Sequence, residues 1–361
     1  MEWRRLARTA RKGRGALDNP DVRFEAWSRE AVDDGWGNLD EPPPPLTTTV
    51  ELDHPRRMLS WNRSPDVPFD RSVNPYRGCE HGCIYCFARP SHARYGLSPG
   101  QDFEARLFRK VDAAQRLEEE LRAPSYVPAP IALGANTDPY QPIEREYGVT
   151  RSLLTVLAEY RHPVTIITKG ALIERDLDLL QELARFDAVS VMVSLTSLDR
   201  RLKRSLEPRA ASPQRRLATL QRLTAAGIPC GTLIAPVIPA LTDHELEPLV
   251  AAAANAGASS AGYVLLRLPH EVRDLFRDWL HLHYPDRAER VLARLRDCHG
   301  GAGNQAAFGQ RMAGTGPWAA LLAQRFRVAC RRAGIDHRRR IPLNTSHFHR
   351  PPRQGDQQAL F

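Results

Sequence analysis

Three cysteines within eight residues are the side chains of this sequence best suited to chemistry. Cys79, Cys83 and Cys86 form a Cys-x3-Cys-x2-Cys pattern, and Gly78 and Gly82 directly precede two of them. A cubane of four irons and four sulfides takes one ligand per iron, so three thiolates leave one iron open to bind a substrate or cofactor. Glycines let a short loop bend around such a cluster without a Cβ clash. The spacing therefore predicts a [4Fe–4S] cluster with one open iron.

A zinc ion is the main alternative for these cysteines, with His81 or His92 as a fourth ligand. Structural zinc sites usually combine two separated ligand pairs, and the sequence has no second cysteine pair. A disulfide framework is disfavoured, because the first residues lack the apolar core of a secretory signal and six cysteines in 361 residues are few. The spacing favours the cluster over zinc.

Six short β-branched runs alternate with helical periodicity and predict parallel β/α repeats. The predicted strands are Val73–Tyr76, Pro130–Gly134, Val164–Thr168, Val189–Leu195, Cys230–Val237 and Gly262–Leu266. The helices predicted between them are Phe103–Leu121, Thr150–Tyr160, Glu174–Arg185, Pro213–Ala226 and Asp243–Ala256. Such arrays place their chemistry at the carboxyl ends of the strands, and the cysteine loop follows the first strand. We therefore expect the cluster at that end of an α/β fold.

The chain is expected to divide into four parts. Residues 1–55 look like a flexible N-terminal extension, because apolar residues are sparse and four consecutive prolines favour an extended segment. Residues 56–270 hold the β/α repeats, residues 271–343 form a helical cover, and residues 344–361 form an extended tail. The helices predicted for the cover are Val272–Leu282, Arg287–Cys298 and Trp318–Arg332.

The cysteine pattern resembles the cluster loop of the radical S-adenosylmethionine (radical SAM) superfamily. Ser64–Asp66, Asn74–Cys79 and Thr137–Gln141 resemble its spore photoproduct lyase-like branch, whose members are often labelled DNA repair photolyase-like. The resemblance covers roughly residues 60–270. It implies an open partial (β/α)6 barrel of the radical SAM type. It also implies two cofactors, a [4Fe–4S] cluster and S-adenosylmethionine, whose reductive cleavage gives methionine and a hydrogen-abstracting 5′-deoxyadenosyl radical.

The same resemblance implies which residues hold S-adenosylmethionine. The loop after the second strand binds the methionine amino group in these enzymes, and it offers Asn136, Thr137 and Asp138 here. Turn chemistry is the competing explanation for Asp138. An aromatic residue before the third cysteine packs near the adenine, and Tyr85 has that position.

Further candidates for S-adenosylmethionine lie at the ends of later strands. Ser194 and Thr196 close the fourth strand and can hydrogen-bond the ribose or the methionine carboxylate. Lys169 closes the third strand, where it either meets a carboxylate or phosphate or marks a solvated strand end. Arg209 is the candidate for a bidentate grip on a carboxylate, with a surface ion pair to Glu207 as the alternative.

The resemblance does not assign the reaction. Spore photoproduct lyase uses a hydrogen-donating cysteine outside the cluster, and the only further cysteine inside the predicted barrel is Cys230. It begins a strand, at the amino end, so thymine-dimer repair does not follow and the catalytic residues are unassigned. A methylthiotransferase and a SPASM-type maturase are disfavoured, because the remaining cysteines are not grouped. A nucleic-acid-associated protein with a structural or redox-sensing cluster is the alternative to an enzyme.

Positive charge is concentrated at the two ends of the chain. Of the net charge of +9, residues 1–14 carry +5 and residues 325–353 carry +8, which leaves −4 for the rest. Basic terminal segments are a common electrostatic feature of nucleic-acid binding, so nucleic acid is the expected partner. Arginines that merely solubilise the ends are the alternative.

The last residues and the redox chemistry suggest two more partners. Gln357, Leu360 and Phe361 resemble the Gln-x-x-Leu-Phe peptide by which bacterial repair and replication proteins bind the replication sliding clamp; docking back onto the barrel is the alternative. The resemblance also implies an electron donor such as flavodoxin or ferredoxin. No stretch approaches the roughly 18 apolar residues of a membrane span, so we expect no membrane partner and a cytoplasmic location.

Overall fold

The computed structural model describes residues 10–26, 45–301, 304–336 and 341–352. Its strands, in chain order, are β1 (Thr49–Asp53), β2 (Ser60–Trp61), β3 (Arg71–Val73), β4 (Tyr76–Arg77), β5 (Arg106–Lys110), β6 (Ile131–Leu133), β7 (Val164–Thr168), β8 (Val189–Ser194), β9 (Cys230–Val237) and β10 (Ser260–Leu265). Its helices are α1 (Asp102–Ala105), α2 (Ala113–Arg122), α3 (Glu144–Tyr147), α4 (Val149–Glu159), α5 (Leu177–Ala184), α6 (Arg200–Leu206), α7 (Pro213–Ala225), α8 (Leu246–Asn255), α9 (Val272–His283), α10 (Pro285–Cys298) and α11 (Gly316–Arg332).

The main sheet contains the six predicted parallel strands. Its order is β10-β9-β8-β7-β6-β3-β2, and every neighbouring pair from β3 to β10 is parallel, whereas β2 pairs antiparallel with β3. The end strands β2 and β10 do not pair with each other, so the sheet is open. The predicted α/β fold with a partial (β/α)6 barrel is confirmed.

Local sequence explains why these elements form where they do. All five residues of the β7 sequence, Val-Thr-Ile-Ile-Thr, are β-branched, which suits a strand covered on both faces. Helix α7 begins with Ser212, whose side chain accepts a hydrogen bond from the Arg215 backbone, and Pro213 takes the first helical position. Short-range signals of this kind set where strands and helices begin and end. They therefore also set where the polar residues at the strand ends lie.

One predicted helix is wrong. The stretch Phe103–Leu121 is divided into α1, β5 and α2, because the middle residues pair in parallel with β1 and antiparallel with β4 in a second, three-stranded sheet. The predicted first strand also ends earlier, at Val73. Pro75 has no backbone N–H to continue the ladder, and Tyr76 and Arg77 join the second sheet instead.

The N-terminal segment is in contact with the barrel. Arg14, Ala16 and Leu17 are buried, and the backbone N–H groups of Gly15 and Ala16 donate to the Glu104 carboxylate at 2.9 and 2.8 Å. Strand β1 also lies within the range 1–55 that was expected to be flexible. The described parts of that range therefore have fixed places against the cysteine loop and the second sheet.

The three helices expected after the barrel are present as α9, α10 and α11. Phe276, Trp279 and Leu280 of α9 belong to one buried apolar cluster with Ile84 and Tyr85 of the cysteine loop. The helical cover therefore packs directly on the residues between and beside the cysteines. No helix in the described part of the chain is long and apolar enough to cross a membrane.

The tail lies across the amino ends of the strands, away from the cysteine loop. The ring of Phe348 contacts Tyr126, Tyr160 and His162 at centroid distances of 5.9, 6.2 and 5.4 Å. Arg350 donates to backbone carbonyls at the end of α2 and beyond it. The tail up to residue 352 is therefore bound to the barrel. The clamp-like residues Gln357, Leu360 and Phe361 and the arginines at 338–340 lie outside the described residues.

Candidate functional site

The cysteine loop lies at the carboxyl end of the parallel strands, as predicted. It follows β3 and the short β4, and it is anchored at both sides by backbone hydrogen bonds. The Cys79 N–H donates to the Phe103 carbonyl at 2.9 Å, and the Ile84 N–H donates to the Leu206 carbonyl at 3.1 Å. These bonds link the loop to α1 on one side and to the end of α6 on the other.

A glycine is required directly before the first cysteine. Gly78 has φ of +73°, and a Cβ there would lie 2.6 Å from the Leu107 side chain and 2.9 Å from the Phe103 carbonyl oxygen. Both the backbone conformation and the lack of space therefore exclude a larger residue. The sequence analysis expected this freedom for bending around a cluster, and the structure adds the close packing against β5.

We expect Gly78→Ala to destabilise the protein more than Gly148→Ala does. Gly148 is a matched control, because its φ of +62° is similar and a Cβ there would meet nothing within 4 Å. The packing clash at Gly78 should lower the free energy of unfolding by about 1–3 kcal/mol beyond the control. Urea denaturation of both variants measures the difference, and equal losses would show that the loop tolerates the extra carbon.

A buried ion pair between Arg89 and Glu104 stabilises the cysteine loop. Arg89 and Glu104 are both fully buried and are paired with each other. Arg89 also donates to the carbonyls of Cys83 at 2.9 Å and Gly100 at 2.8 Å, and the second Glu104 oxygen accepts from the Gly15 backbone. One pair of charges therefore joins the cysteine loop, the loop before α1 and the N-terminal segment. The sequence analysis missed this pair, because charged side chains are normally assigned to the surface.

The three cysteines suit a multi-iron cluster. All are free, Cys79 and Cys83 are buried, and Cys86 is half-buried. Burial raises the pKa of Cys79 and Cys86, and burial with the nearby Glu207 charge raises the pKa of Cys83 to about 12. Buried thiolates need a positively charged metal centre to neutralise them. The irons of a [4Fe–4S] cluster provide such a centre and take thiolates as ligands.

The two histidines considered as a fourth zinc ligand, His81 and His92, have other partners. Among the described residues, no three His, Cys, Asp or Glu side chains are arranged to hold a single metal ion. A cubane distributes its thiolates over separate irons, so its ligands need not converge on one point. His81 lies 3.3 Å from Asp138, and His92 Nε2 lies 2.9 Å from the Arg106 carbonyl oxygen.

A second buried network lies beside the loop, centred on Glu207. This carboxylate accepts hydrogen bonds from the Tyr85 hydroxyl and from Thr196 Oγ1, the latter at 2.6 Å, and it is paired with Arg216. Burial alone would raise the pKa of Glu207. The charges of Arg216 and Lys169, with the two hydroxyl hydrogen bonds, outweigh burial and hold it at about 2. Glu207 is therefore an anion that fixes Tyr85 and Thr196.

The alternative prediction for Arg209, a surface ion pair with Glu207, is wrong. Glu207 is buried against Arg216 and does not form a surface pair, whereas Arg209 contacts Glu80 at 3.1 Å. The sequence places Glu207 two residues before Arg209, but the chain turns after α6 and directs the carboxylate inward. Arg209 itself keeps part of its side chain exposed beside the cysteine loop.

The loop after β6 combines turn chemistry with strand-end contacts. Asp138 accepts from the Tyr140 backbone at 2.9 Å, which is turn chemistry, and also from Thr168 Oγ1 and the Lys169 backbone, both at 2.6 Å. Burial would raise the pKa of Asp138, but its interaction with His81 and these hydrogen bonds outweigh that effect and hold the pKa at about 2.

The other two residues of this loop differ in exposure. Thr137 is buried, and its hydroxyl donates to the Tyr76 carbonyl at 3.0 Å. Asn136 is exposed, and its backbone N–H donates to Asn74 Oδ1 at 2.9 Å. The Asn136 side chain is therefore the one of the three that faces solvent in this structure.

The ends of β7 and β8 bring the remaining candidates together. Ser194 is buried with its hydroxyl 3.4 Å from the Ala235 carbonyl oxygen, and Thr196 Oγ1 lies 3.0 Å from the same oxygen. Lys169 Nζ lies 5.9 Å from the centre of the Tyr85 ring. The sequence-predicted Tyr85, Ser194 and Thr196 therefore share one region with Lys169, directly beside the cysteine loop.

The fold and the cysteine loop define a class of protein, and comparison with known families agrees. The family model of the radical SAM superfamily matches residues 73–253, about half of the chain. The chain therefore belongs to the radical SAM superfamily. It is an enzyme whose reaction is unassigned, and its cofactors are a [4Fe–4S] cluster and S-adenosylmethionine.

The chain is also similar to two uncharacterized proteins. The chain is 42% identical over 226 residues to an uncharacterized protein of Mycobacterium tuberculosis, covering 62% of this chain and 66% of that protein. It is 28% identical over 173 residues to an uncharacterized protein of Methanocaldococcus jannaschii, covering 48% and 62%. The alignments thus span just under two thirds of these relatives.

Among solved structures, a spore photoproduct lyase variant shares the fold. The TM-score is 0.55 with 15% sequence identity, covering 78% of this chain and 79% of that one. At this level of identity the likeness shows that the two proteins share a fold.

Proposed function

We propose that this radical SAM enzyme repairs or modifies nucleic acid. The observation that carries the proposal is the separation of charge along the chain, +5 and +8 at the two ends against −4 for the body. A polyanion attracted to the two basic ends would be held next to the barrel. The likeness to spore photoproduct lyase, whose name states an action on a photoproduct, gives further support.

For S-adenosylmethionine we propose a site between the cysteine loop and the ends of β6, β7 and β8. Its residues are Tyr85, Asn136, Thr137, Asp138, Ser194, Thr196 and Arg209, with Cys79, Cys83 and Cys86 as the cluster ligands. Lys169 is a better partner for the methionine carboxylate than Arg209 on two grounds: its ammonium lies beside Tyr85, and Arg209 already contacts Glu80.

When bound, the cluster and S-adenosylmethionine supply the electron transfer and the 5′-deoxyadenosyl radical of this superfamily. The residues of the chain bind and protect them. The three thiolates hold the irons, and the Arg89–Glu104 pair fixes the loop that carries the thiolates. The Glu207 anion holds the Tyr85 hydroxyl in place. Helix α9 covers the loop with apolar side chains and excludes water from that side.

The electron for this chemistry requires a reductant. We propose a small donor such as flavodoxin or ferredoxin, since the superfamily generally uses a reductant. A reducing compartment such as the cytoplasm fits the chain, because all six cysteines are free thiols.

We expect the C-terminal arginines to bind phosphates without sequence choice. Replacing Arg338, Arg339 and Arg340 by glutamine should weaken duplex binding and flatten the dependence of log K on log salt by about 0.9 per lost contact. Fluorescence anisotropy of a labelled duplex across a salt series measures this slope. The control is Arg185→Gln, an exposed arginine on the body that pairs with Glu182, and it should leave the slope unchanged. Binding that ignores salt would contradict the proposal.

We also propose that the last residues, Gln357, Leu360 and Phe361, bind a replication sliding clamp. An apolar pair at the end of a polar segment favours a pocket on a partner. A peptide of residues 350–361 should bind a bacterial clamp in a titration, and Leu360→Ala with Phe361→Ala should abolish binding. Equal binding by the doubly substituted peptide, or none by the native one, would favour docking onto the barrel.

A further inference from the structure

An aromatic and arginine-rich patch lies beside the carboxyl end of β10, and nothing in the cofactor site uses it. It consists of Phe87, Arg267, Phe308 and Arg311, which we call the mouth patch. Phe87 directly follows the cluster ligand Cys86 and is 51% exposed. Phe308 is 59% exposed. Each of these large aromatic side chains therefore has about half of its surface or more in contact with solvent, which is available to a ligand.

Arg267 joins this patch to the last strand of the barrel. It lies two residues past the end of β10, and its guanidinium carbon is 6.0 Å from the centre of the Phe87 ring. Its Nε is buried without a hydrogen-bond partner, and its Nη1 contacts only the weak acceptor Met312 Sδ, at 3.4 Å. Within the described part of the chain, no carboxylate pairs with it. A half-buried guanidinium with unused donors is suited to an anion from outside.

Arg311 differs from Arg267, because it has a carboxylate partner and stabilises the patch. It is paired with Asp66 and lies over the Phe308 ring at 4.6 Å. The same carboxylate accepts from the Gly309 backbone at 2.6 Å, and Leu265 of β10 donates to the Met312 carbonyl at 2.9 Å. The segment that carries Phe308 is therefore tied both to the barrel edge and to residues before β3. The patch is arranged before any ligand arrives, which lowers the entropy cost of binding.

We propose that the mouth patch binds an unstacked nucleotide of the substrate, with bases on the rings of Phe87 and Phe308 and a phosphate on Arg267. Flat apolar rings accept the face of any base, and a guanidinium with free donors matches phosphate oxygens. An enzyme whose chemistry occurs inside a barrel must take the reacting base out of its stack, and this patch lies where an extruded base would enter. The inference rests on the proposed action on nucleic acid and names the residues that would meet it.

The test uses the full-length chain with its cluster reconstituted anaerobically and a fluorescein-labelled oligothymidylate as the probe. Phe87→Ala and Phe308→Ala should each weaken binding by about 5-fold or more, the effect of losing one base–aromatic stack. Arg267→Gln should weaken binding and reduce the salt slope by about 0.7, the value for one single-strand phosphate contact. The two phenylalanine variants should leave the slope unchanged.

Trp61→Ala is the matched control. Trp61 is an exposed aromatic residue, 59% exposed, with an arginine over its ring, and it lies at the amino end of β3. The Trp61→Ala variant should bind the probe as tightly as the native chain does. Iron content is measured in all variants. If Phe87→Ala loses iron, Phe308→Ala still tests the patch, because Phe308 is remote in sequence from the cysteines.

The outcomes separate this inference from the function on which it rests. If the native chain binds neither the oligothymidylate nor a duplex, the proposed action on nucleic acid fails. If the native chain binds but Phe308→Ala and Arg267→Gln behave like Trp61→Ala, the mouth patch alone is refuted. A loss confined to the patch variants, with the predicted slope change for Arg267→Gln only, supports the inference.

Discussion

Replacing Cys79, Cys83 or Cys86 by alanine is expected to remove most of the iron and all cleavage of S-adenosylmethionine. In the proposed site each thiolate would bind one iron of the cluster, and the fourth iron would be left for the cofactor, so no ligand would be spare. The measurement is iron and sulfide content after anaerobic reconstitution, together with the 5′-deoxyadenosine formed on reduction.

Cys230→Ala provides the control for this prediction. Cys230 is a buried cysteine of the same barrel, at the start of β9, with its sulfur 3.1 Å from Thr224 Oγ1. Its replacement should leave the iron content unchanged. Full iron in any of the three cluster variants, or stoichiometric zinc in the native protein, would contradict the assignment of the ligands.

Arg89→Met is expected to cause the largest loss of stability. Removing one partner of a buried ion pair leaves the other charge uncompensated, which costs about 3–5 kcal/mol of unfolding free energy. The substitution also removes the donors to the Cys83 and Gly100 carbonyls, so the cluster content should fall as well. Chemical denaturation of the apoprotein and iron analysis of the reconstituted protein measure the two effects.

Arg116→Met is the comparison for Arg89→Met. Arg116 pairs with Glu119 on the surface of α2, where both side chains are more than two-fifths exposed. Such pairs contribute about 0–1 kcal/mol, so this variant should be close to the native protein. A loss of stability for Arg89→Met no larger than for Arg116→Met would mean that the buried pair does not hold the loop.

The parts of the fold that were predicted correctly depend on short-range patterns. The β-branched runs of β7, β8 and β9 and the Ser212–Pro213 start of α7 are each visible within a few residues. The cysteine spacing is equally local. Because consecutive parallel strands share an edge, the local pattern also placed the loop at the correct end of the sheet.

The parts that were missed depend on distant partners. The charge-rich sequence of β5, Arg-Leu-Phe-Arg-Lys, predicts helix, but the segment is a strand because it pairs with β1, which lies more than fifty residues earlier. Hydrogen bonds across that distance outweigh the local preference. The sequence gives no local sign of this pairing.

Buried charges were the other source of error. Glu104, Arg89, Glu207 and Arg216 are all buried, whereas a sequence pattern assigns such residues to the surface. Arg89 pairs with Glu104 and Glu207 pairs with Arg216, and neither spacing follows a helical or strand period, so the folded arrangement is what reveals the pairs. Because Glu207 was expected at the surface, it was also the wrong partner for Arg209, which contacts Glu80 instead.

The most direct test of radical SAM activity is the amount of 5′-deoxyadenosine formed when the reconstituted protein is reduced anaerobically with S-adenosylmethionine present. The assignment predicts a product that requires the cofactor, the reductant and the cluster, and that is absent from Cys83→Ala. A protein with a full complement of iron and sulfide that is reduced but forms no 5′-deoxyadenosine, with or without nucleic acid, would contradict it.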